Sequence, residues 1–176
     1  MRKMTLRYLA SLFLSDFKRY EVRTLRSKFS LFFHSGWRCA IYLRLQQYFY
    51  SWRFLVIPYV IALVIQRRML RLFGSEICIG SEFGPGLKFP HPVGIVIGHR
   101  VVIGGNCTIL QGVTIGESNA TGNGDGCYPI IRDNVLIGAN SLVLGNVLVG
   151  EGARIGAHSL ILASVNSNAV VTGIHK

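Results

Sequence analysis

An aliphatic residue returns every sixth position through the second half of this chain, and that period limits the fold more than any other feature. One series is Ile97, Ile103, Ile109 and Ile115; a second is Ile131, Ile137, Val143, Val149, Ile155 and Ile161. Glycine follows the aliphatic residue at Gly98, Gly104, Gly116, Gly138, Gly150 and Gly156. A companion column lies four residues after each repeat start: Val101, Cys107, Val113, Val135, Ser141, Val147, Ala153, Ser159 and Val165. If six residues form one flat side of a coil, equivalent positions stack, and both columns point inward. Only small or compact side chains fit beside the aliphatic ladder, and glycine relieves backbone crowding at the corner. Each buried Ile or Val contributes roughly 1.5–3 kcal/mol, so the ladder offsets the entropy of ordering a solenoid. An amphipathic helix needs a 3.6-residue spacing, which this stretch lacks.

The rhythm breaks once. Ile115 and Ile131 are sixteen apart, so ten extra residues interrupt a coil. The inserted segment, "ESNATGNGDGCYP" (117–129), is polar and glycine-rich. Such a loop is expected to leave the wall. It is either a surface excursion or an arm that reaches a neighbouring subunit and walls a site.

Charge divides the chain in two. Residues 1–73 carry 14 Lys/Arg against 2 Asp/Glu; residues 74–176 carry 5 against 6. We therefore expect a basic, aromatic-rich helical region over 1–73 and a solenoid domain over 74–176. The basic head suits an anionic partner or a solvated helical face. Apolar residues interleaved with its cations favour a membrane surface over nucleic acid. No secretory signal is visible. The longest apolar run, Phe54–Ile65, has twelve residues and contains Pro58. It falls short of the ~20 that a spanning helix needs, and reads as an interfacial, re-entrant or core helix. Cys39, Cys78, Cys107 and Cys127 form no C-x-x-C pair, and no histidine forms a metal pattern with a neighbour. No metal and no disulfide are expected.

At the head of the repeat, "FPHPVGIVIG" places His91 between Pro90 and Pro92. The prolines restrict the backbone on both sides. From the residues alone, a stiffly held general base and a packed structural histidine are both open. The segments "HPVGIVIG", "ILQGVTIG", the loop ending at Pro129, and "IGA" at 137–139 and 155–157 resemble the serine acetyltransferase branch of the hexapeptide-repeat acyltransferases. The resemblance covers about Glu76 to Lys176. It implies a left-handed parallel β-helix of triangular section, with an α-helical N-terminal segment here. The handedness comes from the resemblance, since parallel crossovers are otherwise right-handed.

The resemblance further implies that His91 is the general base and Glu76, where the branch normally has Asp, its acidic partner. An alcohol needs its proton removed as it attacks a thioester, and an imidazole steadied by a carboxylate suits that task. Acetyl-CoA is the implied donor, its arm lying along Gly116, Ala139 and Ala157, with Arg154 near a phosphate. Gln111, Asp125 and Tyr128 are the expected acceptor contacts. The implied assembly is a homotrimer, alone or paired into a dimer of trimers, with sites between subunits.

Two departures bear on the acceptor. The branch carries Asp before the base and an Arg-His pair before the loop's proline; here stand Pro90, and Cys127 with Tyr128. A zwitterionic amino acid then lacks its charge partners. Together with the short basic head, "GSEICIG" and "HPVGIVI" resemble the acetyltransferases of capsule and exopolysaccharide assembly. The expectation is O-acetylation of a sugar hydroxyl, free or lipid-linked, by a cytoplasmic enzyme peripheral on the inner face of the membrane. Each cation near an anionic leaflet is worth about 1 kcal/mol. The alternatives are serine O-acetylation for cysteine synthesis and a non-catalytic scaffold or membrane-recruitment module.

Overall fold

A computed structural model of the chain describes residues 3–20, 24, 30–31, 33–118 and 128–176. Among the described residues, three long helices lead into a parallel β-helix. Helix α1 (Leu6–Lys18) is capped by Thr5, whose side chain accepts from the Tyr8 N–H, and buries Leu9, Leu12 and Asp16 on one face. Helix α2 (Ser35–Ser51) buries Trp37, Ala40, Leu43, Arg44 and Gln47. Helix α3 (Val56–Phe73) has Pro58 in its first turn, where the missing N–H costs nothing. It stops at Gly74, which takes the left-handed φ of 60°.

From Glu76 onward the chain wraps three faces in turn. Face 1 holds β1 (Glu76–Ile77), β3 (Val96–Ile97), β6 (Thr114–Gly116), β9 (Leu142–Leu144), β12 (Leu160–Ile161) and β14 (Ile174–His175). Face 2 holds β2 (Glu82–Phe83), β4 (Val102–Ile103), β7 (Ile130–Ile131) and β10 (Leu148–Val149). Face 3 holds β5 (Thr108–Ile109), β8 (Leu136–Ile137), β11 (Arg154–Ile155) and β13 (Val170–Val171). Each strand pairs in parallel with its equivalent one coil away, and the β-helix is left-handed. The regular coil is eighteen residues, as in the pairing of Ile97 with Ile115. The inserted loop lengthens one coil, so that Ile115 pairs with Val143.

Both inward columns are buried, from Ile97 to Ile161 and from Val101 to Val165. The ladder also begins earlier than the sequence series, at Ile77, Phe83 and Phe89, all buried. The glycines after the ladder residues have a sharper role than relief of a corner. A Cβ on Gly138 would lie 2.5 Å from the Ala157 nitrogen, and one on Gly150 would lie 2.4 Å from the Ser167 nitrogen. The next coil's backbone occupies that space. The corners are instead turned by a third six-residue column just before the companion residue, at seven of the nine companion positions. Arg100, Asn106, Gly112, Asn134, Asn140, Gly152 and His158 all have positive φ there. Gly and Asn tolerate this region; Arg and His do so at a cost of roughly 1–2 kcal/mol.

The helices and the first coils share one core, in which Trp37, Leu43, Met69 and Phe73 join Ile77, Phe83 and Leu87. A fully buried ion pair rivets them. The Arg44 Nε donates to Asp16 Oδ2 at 2.7 Å and one Nη to Oδ1 at 2.9 Å. The guanidinium also donates to the carbonyls of Phe83 (3.2 Å) and Gly84 (2.6 Å), and the Leu87 N–H donates to Asp16 Oδ1 at 2.8 Å. The pair's charges are thus met by each other, by Gln47 Oε1 at 2.9 Å and by the backbone of the first coil.

Candidate active site

The corner that carries His91 is the one place where the early coil departs from its period. Ile77 pairs with Ile97, a separation of twenty residues rather than eighteen. The two extra residues fall between Phe89 and Ile97, where the chain passes from face 3 to face 1. There the Val93 N–H donates to the His91 carbonyl at 2.9 Å, closing a tight turn over Pro92. The corner is clamped from behind. The Ser75 hydroxyl, fully buried, donates to the Pro92 carbonyl at 2.8 Å and accepts from the Ile95 N–H at 3.0 Å. Gly94 N–H donates to the Phe73 carbonyl at 3.3 Å. From the head, Gly36 of α2 packs so closely that a Cβ would fall 1.8 Å from the Phe89 oxygen. The Tyr20 hydroxyl accepts from the Phe89 N–H at 3.4 Å. His91 itself is exposed at the apex. The histidine thus stands on a braced turn.

Below His91 one vertical edge of the prism continues through Gln111, Ala139 and Ala157. Hydrogen bonds mark the steps: Gly112 N–H to Val93 O (2.9 Å), Asn140 N–H to Gln111 O (2.9 Å) and His158 N–H to Ala139 O (2.8 Å). At about 4.8 Å per coil, this edge runs roughly 14 Å from the His91 turn to Ala157. Ala157 is exposed and Ala139 half-buried, so a chain-like ligand meets no bulk there. The Gln111 Oε1 is buried without a hydrogen-bond partner. An orphaned acceptor on the edge below His91 fits an N–H-bearing ligand, such as an amide of an extended arm or an ammonium.

The structure divides the other expected site residues. Gly116 and Tyr128 lie on the opposite edge of face 1, where the inserted loop leaves and rejoins the wall. Tyr128 has the Arg100 guanidinium 5.9 Å from its ring centroid. Arg154 sits exposed on β11, in the middle of face 3. Asp125, Cys127 and most of the loop lie outside the described residues. Glu76 is exposed on β1, one strand from the His91 turn, and Ser75 beside it grips Pro92 beside the histidine. No hydrogen bond joins the Glu76 carboxylate to the His91 ring among the described residues. Glu76 instead lines a cavity of about 150 Å³ with Leu63, Gln66, Arg67 and Leu70 of α3.

The electrostatics of the corner are cationic. His34, at the N-terminus of α2, stacks edge-on against Tyr20 with centroids 5.3 Å apart. Burial first, then the charges of His91 and Lys88, hold its pKa below the usual histidine range. Lys88 lies 5.9 Å from the Tyr20 ring. No group of three or more His, Cys, Asp or Glu able to hold a metal occurs among the described residues.

Sequence reasoning missed Gly36, Tyr20 and Ser75, the residues that brace His91. The signal available was the eight-residue step from Phe89 to Ile97 in a run otherwise spaced by six.

Comparison with known proteins bears on this arrangement. Residues 128–163 match the bacterial transferase hexapeptide family (six repeats), and residues 94–121 match the hexapeptide repeat of succinyl-transferase. A serine acetyltransferase of Synechococcus elongatus is 37% identical over 143 residues, covering 80% of this chain and 55% of the relative. A soybean serine acetyltransferase solved in complex with serine superposes with a TM-score of 0.80 at 30% identity, covering 94% of this chain and 67% of that one. A serine acetyltransferase solved in complex with CoA gives a TM-score of 0.80 at 28% identity, covering 96% and 68%. The chain belongs to the hexapeptide-repeat acetyltransferase family. It spans about half the length of the curated relatives it matches.

These findings correct one expectation. The relatives are serine acetyltransferases, and the reading as a sugar O-acetyltransferase of capsule assembly is overturned. That reading rested on two side chains absent from a sequence pattern, at Pro90 and at Cys127–Tyr128. Likeness that runs through the helical head as well as the coils outweighs two positions, because charge partners for an acceptor can come from other elements of the same cleft.

Proposed function

We propose that this protein is an acetyl-CoA-dependent O-acetyltransferase that acetylates the hydroxyl of serine. The observation that supports this most is its likeness, across 94% of its length, to a serine acetyltransferase that binds serine. In this reading His91 removes the hydroxyl proton as the oxygen bonds the thioester carbonyl carbon. When the tetrahedral centre collapses, the carbon–sulfur bond breaks and His91 returns the proton to the departing sulfur. Base catalysis of this kind supplies about 10²–10⁴-fold. The carboxylate of Glu76, one strand away, steadies the imidazolium through space. Ala139 and Ala157 leave the edge open to the donor's extended arm, with Gln111 accepting one of its N–H groups. Arg154 offers a phosphate partner further along face 3.

The working unit of this proposal is a homotrimer. Within one chain, the His91 edge and the loop edge bearing Gly116 and Tyr128 are separated by the width of face 1. Packing three prisms side by side sets one chain's loop edge against its neighbour's His91 edge. Arg100 and Tyr128 then face the acceptor. Arg100 is exposed and retains a φ of 61°, a conformation costly for arginine. It supplies the carboxylate partner that the sequence pattern places elsewhere.

Product identity tests this. Incubation with acetyl-CoA and L-serine is expected to give O-acetyl-L-serine by mass spectrometry, with one free thiol per acetyl group transferred. Thiol release that is no faster with L-serine than without it contradicts the proposal.

A further inference from the structure

Helix α3 presents a face that no described residue of the chain covers. Val56 is 77% exposed and Ile57 74%, and Val60 and Val64 continue the same stripe at successive turns. Phe54 and Leu55, also exposed, extend it ahead of the helix. The opposite side of α3, through Ala62, Met69 and Phe73, packs into the core. This is an unpartnered aliphatic tip rather than a scatter of single residues.

Cations border the tip at both ends. Along the stripe, Val60 and Val64 give way to Arg67 and Arg71, with Arg68 beside them, all exposed. At the other end stand Arg53, over the Tyr50 ring at 5.1 Å, and Lys3, whose Nζ lies 4.4 Å from the Phe54 ring centroid. Residues 52–73 contain no Asp or Glu. Glu76 shares the small cavity with Arg67 on the side toward the first coil, and Glu82 lines a separate pocket with Lys3. A second copy seated on this face would set one cationic rim against another. An anionic surface meets both the aliphatic tip and its rim. No described helix is long and apolar enough to cross a membrane, so contact is from one side.

We propose that the Phe54–Val64 tip seats in the surface of an anionic lipid bilayer. Phe54, Val56, Ile57 and Val60 enter the acyl boundary, and Arg53, Arg67, Arg68 and Arg71 lie at the phosphates. The helix meets the bilayer obliquely, because apolar and basic residues divide its exposed stripe end to end. The contact stands apart from the acceptor chemistry and does not depend on it.

Co-sedimentation of the full chain with vesicles tests the contact. Vesicles of phosphatidylcholine with about 30 mol% phosphatidylglycerol should retain at least ~10-fold more protein than phosphatidylcholine alone, and raising salt to about 0.5 M should release most of it. Ile57→Asp introduces a charge that a helix N-terminus tolerates. It should lower retention ~10-fold, with assembly mass and acetyl transfer in solution unchanged; Arg68→Glu with Arg71→Glu should do the same. Equal retention by neutral and anionic vesicles, or none by either, overturns the proposal. So does a fall in assembly mass with Ile57→Asp, which would show that a second copy covers the face.

Discussion

The thiols of this chain report on burial one residue at a time. Cys39 is wholly buried between helices and core, and burial pushes its pKa up to about 12. Cys107, a companion-column residue, is pushed up to about 11, mainly by burial. Cys78 is half-buried, and its pKa is raised by burial and by the charge of Glu76. Because the thiolate is the reactive form, alkylation of the native protein should modify Cys78 before Cys39 or Cys107, both of which should react only on unfolding. Peptide mapping checks the order; early labelling of Cys107 would mean that the inward column is open. His34 adds a pH effect. Its folded pKa lies below the unfolded value of about 6.5, held down by burial, His91 and Lys88. The folded state therefore binds this proton less readily than the unfolded one. Stability from the neutral ring is complete above the unfolded value and is lost as pH falls through the folded one. His34→Gln should flatten the decline in melting temperature between about pH 7 and pH 5.

At the scale of elements, two devices hold the architecture, and they were unequally legible. The ladder was readable because a solenoid repeats its environment: Ile137 meets the same neighbours as Ile155, so the same residue type serves both. Ile137→Ala should cost about 2–5 kcal/mol in chemical denaturation. The rivet was not readable. Asp16 and Arg44 are remote in sequence and sit among many cations, so nothing in the pattern distinguishes Arg44 from the solvated arginines. Only the packing of α1 and α2 on the first coil shows that it is buried. Arg44→Ala should cost about 3–5 kcal/mol because it strands the Asp16 carboxylate. Replacing the pair together, Asp16→Leu with Arg44→Met, should recover only part of that loss, because the Leu87 N–H and the Phe83 and Gly84 carbonyls still lose their partners. If the single variant is as stable as the parent, the rivet contributes nothing. The candidate site was legible in the same partial way. Proline brackets and the family motif drew attention to His91, and the alanines of "IGA" fell on its edge. The brace of Gly36, Tyr20 and Ser75 was hidden because it acts through backbone carbonyls, which leave no periodic mark. The acceptor was misread because two missing charges were weighed without the cleft around them.

For the whole molecule, the account joins a rigid prism to a division of labour between its edges. One edge carries His91 and an open track; the other carries the ends of the inserted loop. Within a single chain they are apart, so the proposed chemistry requires neighbouring chains. Light scattering should give three chains per particle or a multiple of three, and a stable monomer that turns over at the full rate would contradict this. The most direct test of the central claim is thiol release from acetyl-CoA in the presence of L-serine, compared between the parent and His91→Ala at matched assembly mass. The account predicts serine-dependent turnover that falls by about 10²-fold or more in the variant, with folding and assembly intact. Serine-dependent turnover retained at the parent's rate would contradict it.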